Sequence, residues 1–103
     1  MSFAKGVLRP SVAEDTNLNL NQWRTYIAVL SVQTDSGNAT NAAIVMIRTG
    51  ERGNIIAETT IARLQGDPAK VQNKNYTTFS ASSSGTLVVT AELANIRYLI
   101  IGT

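Results

Sequence analysis

The sequence predicts an all-β chain: an antiparallel β-sandwich or jelly-roll-like barrel carrying an extended N-terminal arm. Three observations predict it. From Thr25 onward, short runs rich in Val, Ile, Thr and Tyr follow one another. The breaks between them hold Gly, Asn, Asp and Ser, the residues that reverse a chain. The stretch TYIAVLSVQTDSGNATNAAIVMIRTG, Thr25 to Gly50, reads as two strands about a turn, with Asp35, Ser36, Gly37 and Asn38 at the reversal.

Residues 1–24 differ from the rest and form the expected arm. They carry Gly6, Pro10 and the acidic pair Glu14-Asp15, then NLNLNQW from Asn17 to Trp23. Strict Asn/Leu alternation argues for an extended chain laid along a surface. A helix capped at Asp15 or Thr16 is the competitor, and three Asn residues in its first turns weaken it. The arm is expected to dock on its own sheet or on a neighbour, with Leu18, Leu20 and Trp23 as apolar anchors.

Residues 25–103 form the expected sandwich domain. The strands read Thr25–Gln33, Ala42–Thr49, Asn54–Leu64, Tyr76–Ala81, Thr86–Leu93 and Ile96–Ile101. Gly50 and Gly53 flank Glu51-Arg52 as a tight hairpin tip. Gln65 to Pro68 opens a loop through Lys74, and SSSG at Ser82 to Gly85 makes the next turn. Strands recurring roughly every 8–12 residues point to a sandwich or barrel.

These strands carry aliphatic residues on both faces, where a half-solvated sheet should alternate. Tyr26, Ala28, Leu30 and Val32 fill one face, yet Ile27 and Val29 occupy the other. Ile44 and Met46 face one way, Val45 and Ile47 the other. Ile55-Ile56, Leu87-Val88-Val89 and Leu99-Ile100-Ile101 repeat the pattern. Two stacked sheets share a single interior. With no helical layer expected, the arm or, in preference, a second subunit is expected to cover the remaining face; the alternative is that a few of these residues are simply exposed. Ile27, Val29, Val45 and Ile47 therefore join Leu18, Leu20 and Trp23 as candidate interface residues.

Composition narrows the function classes. At 103 residues, one core and one domain are expected. Charged residues make up 16% of the chain, against roughly 25% in an average domain. Neutral Asn, Thr and Ser take their place, and such surfaces desolvate cheaply. The net charge of +2 is scattered, with no basic run for nucleic acid or membrane. No stretch of 18 apolar residues and no signal-like segment is present, so neither membrane insertion nor export is expected.

Catalytic chemistry lacks its parts. Without His or Cys, the usual nucleophile–base pairs and zinc sites cannot form. A Ser–Lys pair from Ser82, Ser83 or Ser84 with Lys70 or Lys74 reads instead as ordinary turn composition. Of the acids, Glu58 and Glu92 alone fall within strands, where pairing with an Arg such as Arg63 or Arg48 is expected rather than catalysis. The loop Asp35 to Asn41 lacks the acids of a calcium site. Gly50–Gly53 has no following helix to cradle a phosphate. No cofactor or metal is expected, and the chain reads as non-enzymatic. Asn38-Ala39-Thr40 and Asn75-Tyr76-Thr77 match glycosylation sequons, without consequence absent a secretory route.

The Asn/Thr/Ser-rich strands, the N-terminal arm, the absence of Cys and His and the final strand IRYLIIGT together resemble small virion proteins of phages and viruses: capsid decoration, penton, fibre or tail proteins. The likeness is one of style over the whole chain and assigns no functional residues. It implies a structural subunit of a symmetric assembly, in a virion or, outside one, in the cytoplasm. Its partners would be further copies and other assembly proteins, and its arm would reach a neighbour. The competing reading is a module binding carbohydrate or single-stranded nucleic acid through an aromatic platform of Trp23 and Tyr76.

Overall fold

The computed structural model describes residues 2–32, 42–64, 77–91 and 95–102. Eight strands form: β1 (Ser2–Leu8), β2 (Ala13–Asn19), β3 (Thr25–Val32), β4 (Ala42–Thr49), β5 (Ile55–Leu64), β6 (Thr77–Ala81), β7 (Thr86–Ala91) and β8 (Ile96–Gly102). They make a five-stranded sheet, β1-β8-β3-β4-β5, packed on a three-stranded sheet, β2-β7-β6. Every strand pairing is antiparallel. The fold is a β-sandwich.

The expected arm is part of that sandwich. β1 runs the full length of β8, from Ser2 opposite Gly102 to Leu8 opposite Ile96. The chain then crosses to the other sheet at Arg9–Val12, where Ser11 takes φ 60° and donates its N–H to the Ala91 carbonyl. β2 pairs with β7. Strands of both sheets, β1 and β2, thus lie before residue 24. Leu8 and Leu18 are fully enclosed and Leu20 nearly so. Burying each of these contributes roughly 1.5–3 kcal/mol.

The Asn/Leu alternation is what makes β2 a strand. Leu18 and Leu20 point inward while Asn17 and Asn19 face water. The ladder breaks between Asp15 and Asn19, with Asn17 at φ 64°, a conformation Asn tolerates. Thr16 repairs the break. Its buried hydroxyl donates to the Leu87 carbonyl (2.9 Å) and accepts from the Leu18 N–H (3.2 Å).

Register decides which aliphatic face is core. Tyr26 sits opposite Ile47 and Ala28 opposite Val45, and all four are buried. Ile27 opposite Met46 and Val29 opposite Ile44 form the outward face. Leu87, Val89 and Ala91 close the interior from the smaller sheet. The described strand ends agree with the sequence reading to within two residues. Gln33, Tyr76, Glu92 and Leu93 lie outside the described residues.

The tip joining β4 and β5 depends on glycine. Gly53 has φ 77°, and a Cβ there would sit 2.7 Å from the Leu20 carbonyl oxygen. Gly50 accepts from the Trp23 and Gly53 N–H groups and donates to the Asn54 carbonyl, binding this tip to the β2–β3 connection.

Candidate interaction surface

The outer faces of the two sheets differ. On the three-stranded sheet, Asp15, Thr78, Ser80, Thr86 and Thr90 face outward, with Val88 among them. That is ordinary half-solvated alternation. On the five-stranded sheet the strand registers line up three rows running across all five strands. The first is Phe3, Ile101, Ile27, Met46 and Thr59. Lys5, Leu99, Val29, Ile44 and Ala62 make the second. Val7, Arg97, Ser31, Ala42 and Leu64 make the third.

No member of these rows is buried. Val29, at the centre, is 40% exposed and Met46 39%. Among the described residues nothing covers this face. Five strands about 4.8 Å apart and seven residues deep span on the order of 600 Å², at or above the largest apolar patch of a typical monomer. The middle of the face is aliphatic and its rim holds Lys5, Arg97, Ser31 and Thr59, and large apolar patches rimmed by polar residues mark interaction sites.

Its charges have one sign. Lys5, Arg97 and Arg48 rise from it, and no acidic residue does so among the described residues. Arg48 is anchored, donating from Nη1 to the Trp23 carbonyl (3.0 Å) and to the Thr25 hydroxyl (3.3 Å). Two shallow depressions flank Val29. One, of about 450 Å³, lies between Lys5, Val7, Arg97 and Leu99; the other, of about 230 Å³, lies over Ala42 and Ala62 between Ile44 and Leu64.

The expected interface residues divide. Ile27 and Val29 lie on the open face. Val45 and Ile47 are wholly enclosed, as is Leu18, and Leu20 nearly so; these four belong to the core of the single chain. Their places on the β4 surface belong to Ile44 and Met46, exposed to 36% and 39%. Sequence alternation paired the right residues on each face, but two aliphatic faces gave no sign of which was inner. Phe3 and Val7 carry no such signal in the sequence, where an arm and an edge strand look alike, and Leu99 stands there only as one of a two-faced aliphatic run.

Trp23 stands apart at the β2–β3 corner, 55% exposed with φ 55°. Its N–H donates to the Gly50 carbonyl (3.1 Å). Tyr76, its expected companion, lies outside the described residues, as do the Asp35–Asn41 loop, Lys70, Lys74 and Glu92.

Glu58 departs from its expected role. It sits opposite Ile47 and so faces inward, near the cleft between β5 and β6 where Phe79 also lies. Among the described residues its buried Oε2 has no hydrogen-bond partner, in place of the expected pairing with Arg48 or Arg63. Among the described residues no cluster of three metal-ligating side chains occurs. No helix among them is long and apolar enough to cross a membrane.

No family model matches the chain, and no curated protein matches it. Among solved structures it is similar to the tailspike protein of Acinetobacter phage vB_ApiP_P1, with a TM-score of 0.41 and 10% identity. That likeness covers 97% of this chain and 19% of the tailspike chain, and at this level it carries no function with it.

Proposed function

We propose that the chain is a non-enzymatic structural subunit of a symmetric assembly, a virion protein that acts through subunit contacts. The observation that carries this reading is the uncovered aliphatic face of the five-stranded sheet. A fold that alternates correctly on its smaller sheet, yet keeps Phe3, Val29, Ile44, Met46 and Leu99 in water on its larger one, is built to lose that surface to a partner. The low-charge composition favours the same outcome, because amides and hydroxyls desolvate at less cost than charged groups. The virion setting rests on the resemblance in sequence style described above.

The test is direct. Light scattering on the purified chain should give a mass above that of one chain, and mass spectrometry of purified particles should find it at stoichiometric copy number. A monomer at tens of micromolar that is absent from particles would sink the reading.

One observation favours a second reading, a binding module for carbohydrate or single-stranded nucleic acid. Trp23 holds an exposed indole in a left-handed backbone conformation that bulky residues rarely adopt. Titrating the chain with glycans and with oligonucleotides while following tryptophan fluorescence distinguishes it, since this is the chain's single Trp.

A further inference from the structure

We infer that the outer face of the five-stranded sheet docks against the same face of a second copy, about a two-fold axis running along β3. This rests on the reading of the chain as an assembling subunit and names the surface, the partner and the symmetry. The area is the first argument. A patch on the order of 600 Å² on each of two copies buries about 1,200 Å² in total, the lower end of stable specific interfaces.

Self-complementarity is the second. The axis keeps each row in place and exchanges the β1–β8 half of one sheet with the β4–β5 half of the other. In the second row Lys5 then lies over Ala62 of the second copy, and Leu99 over Ile44. In the third row Arg97 lies over Ala42. The stems of the long cationic side chains thus meet Ala42 and Ala62 in the smaller depression, which Arg63 also lines. Val29 meets its own counterpart at the centre. Stacked sheets cross at about 30°, so these are neighbours rather than coaxial pairs.

Charge is the third. The half carrying Lys5 and Arg97 is set against a half that carries neither. Arg48 on that half lies one row beyond the first, two rows from Lys5 and three from Arg97, so only Arg63, which also lines the smaller depression, stands near them among the described residues. Lys5 is on the edge strand and Arg97 in an end row, so their stems pack while their charged ends reach water. A face with only cations would repel itself if the axis ran across the strands at the third row. Isologous two-fold pairing is also the commonest form of closed assembly.

The chain has no cysteine, so Val29→Cys introduces a single thiol per copy. A bis-maleimide of about 10 Å span, the spacing of stacked sheets, should join two such chains. Thr90→Cys, on the outer face of the smaller sheet, should remain unlinked. In sedimentation at 100 µM, the unmodified chain should run at twice the single-chain mass. Val29→Glu should run as one chain with unchanged circular dichroism, its dimer affinity lowered about a hundredfold or more by the charge placed at the centre. An oligomer that neither links through V29C nor dissociates in V29E overturns the inference and leaves the subunit reading standing. A V29C-linked dimer absent from any particle upholds the inference and sinks the virion setting. An unmodified monomer that instead binds anionic vesicles or an acidic peptide overturns it.

Discussion

The ring of Tyr26 lies where Gly102 would carry a side chain. The two residues are opposite each other on β3 and β8, and a Cβ on Gly102 would come within 2.6 Å of the ring's Cδ1 and closer still to Cε1. The pairing repeats one strand over, where Tyr98 covers Gly6 on β1. A flat aromatic ring laid over a cross-strand glycine fills the missing side-chain volume from the partner strand. Tyr26 is also pinned at its far end. Its hydroxyl accepts from the Asn21 N–H (2.9 Å) and donates to the Asn19 carbonyl (3.2 Å).

Because Tyr26 is held at both ends, Gly102→Ala forces ring or strand to move and should cost about 1–3 kcal/mol, the range for overpacking. Gly6→Ala meets the far end of Tyr98, at 2.9 Å from the hydroxyl, and should cost less. Tyr26→Phe removes the hydroxyl that bonds the part-buried Asn19 carbonyl and Asn21 N–H and should cost about 0.5–1.5 kcal/mol. Urea denaturation of the three variants gives the ranking. A neutral Gly102→Ala would contradict the packing described.

Deleting residues 2–20 should abolish folding. The deletion removes β1, β2, the buried Leu8, Leu18 and Leu20, and the cover over β8 and β7. Circular dichroism and thermal melting of the truncated chain decide it: a cooperative melt near that of the full chain would restore the arm as a separate element. The six later strands were legible because each is a β-branched run bounded by turn residues. β2 was legible as an extended segment from its Leu/Asn period. Its membership in the sheet was not, since polar outward residues on a strand and on a docked arm look alike. β1 carries Lys5 and Gly6 mid-strand, which weakens any periodic signal. Which face is core was not legible at all, because that depends on where the second sheet lands.

Three buried threonines should respond oppositely to Val. Thr49 accepts from the Arg24 N–H (2.9 Å) and its hydroxyl reaches the Asn21 and Arg24 carbonyls. Thr16 holds the β2 irregularity together. Either change to Val strands buried backbone groups and should cost about 1–3 kcal/mol. Thr77 is as deeply buried, yet among the described residues its hydroxyl has no partner. Thr77→Val removes an unsatisfied oxygen and should be neutral or stabilising by up to about 1 kcal/mol. Equal losses in all three would show that the Thr77 hydroxyl is satisfied.

Tyr98 gives the fold a specific alkaline response. Burial, and after it the charge of Glu14, pushes its phenol above the usual value of 10.0. The folded chain therefore holds that proton more tightly than the unfolded chain. Below pH 10 both states keep it and stability does not depend on it. As pH rises past 10 the unfolded state ionises first, and stability falls until the folded phenol follows. Unfolding free energies measured between pH 8 and 11 should fall less steeply for Tyr98→Phe than for the unmodified chain. Parallel curves would show that Tyr98 titrates alike in both states.

Trp23 should be dispensable to the fold. Its φ of 55° costs a bulky residue about 1–2 kcal/mol, which glycine avoids. Glycine in turn loses about 0.5–1 kcal/mol more chain entropy on folding than other residues. The bonds that fix this corner run through the backbone, from the Trp23 N–H to Gly50 and from Arg48 to the Trp23 carbonyl, and both survive the change. Trp23→Gly should therefore be neutral or stabilising by up to about 1 kcal/mol, whereas Trp23→Ala keeps the strained backbone and should be the less stable of the two. Comparing their melting curves settles the order. If Trp23→Gly also leaves self-association intact, the indole serves neither the fold nor the sheet-face interface. Its retention at a conformational cost would then point to an external ligand, and loss of glycan or oligonucleotide binding in the same variant is the outcome that would establish one. A Trp23→Gly chain that melts well below Trp23→Ala would instead make the corner's backbone conformation dependent on the side chain.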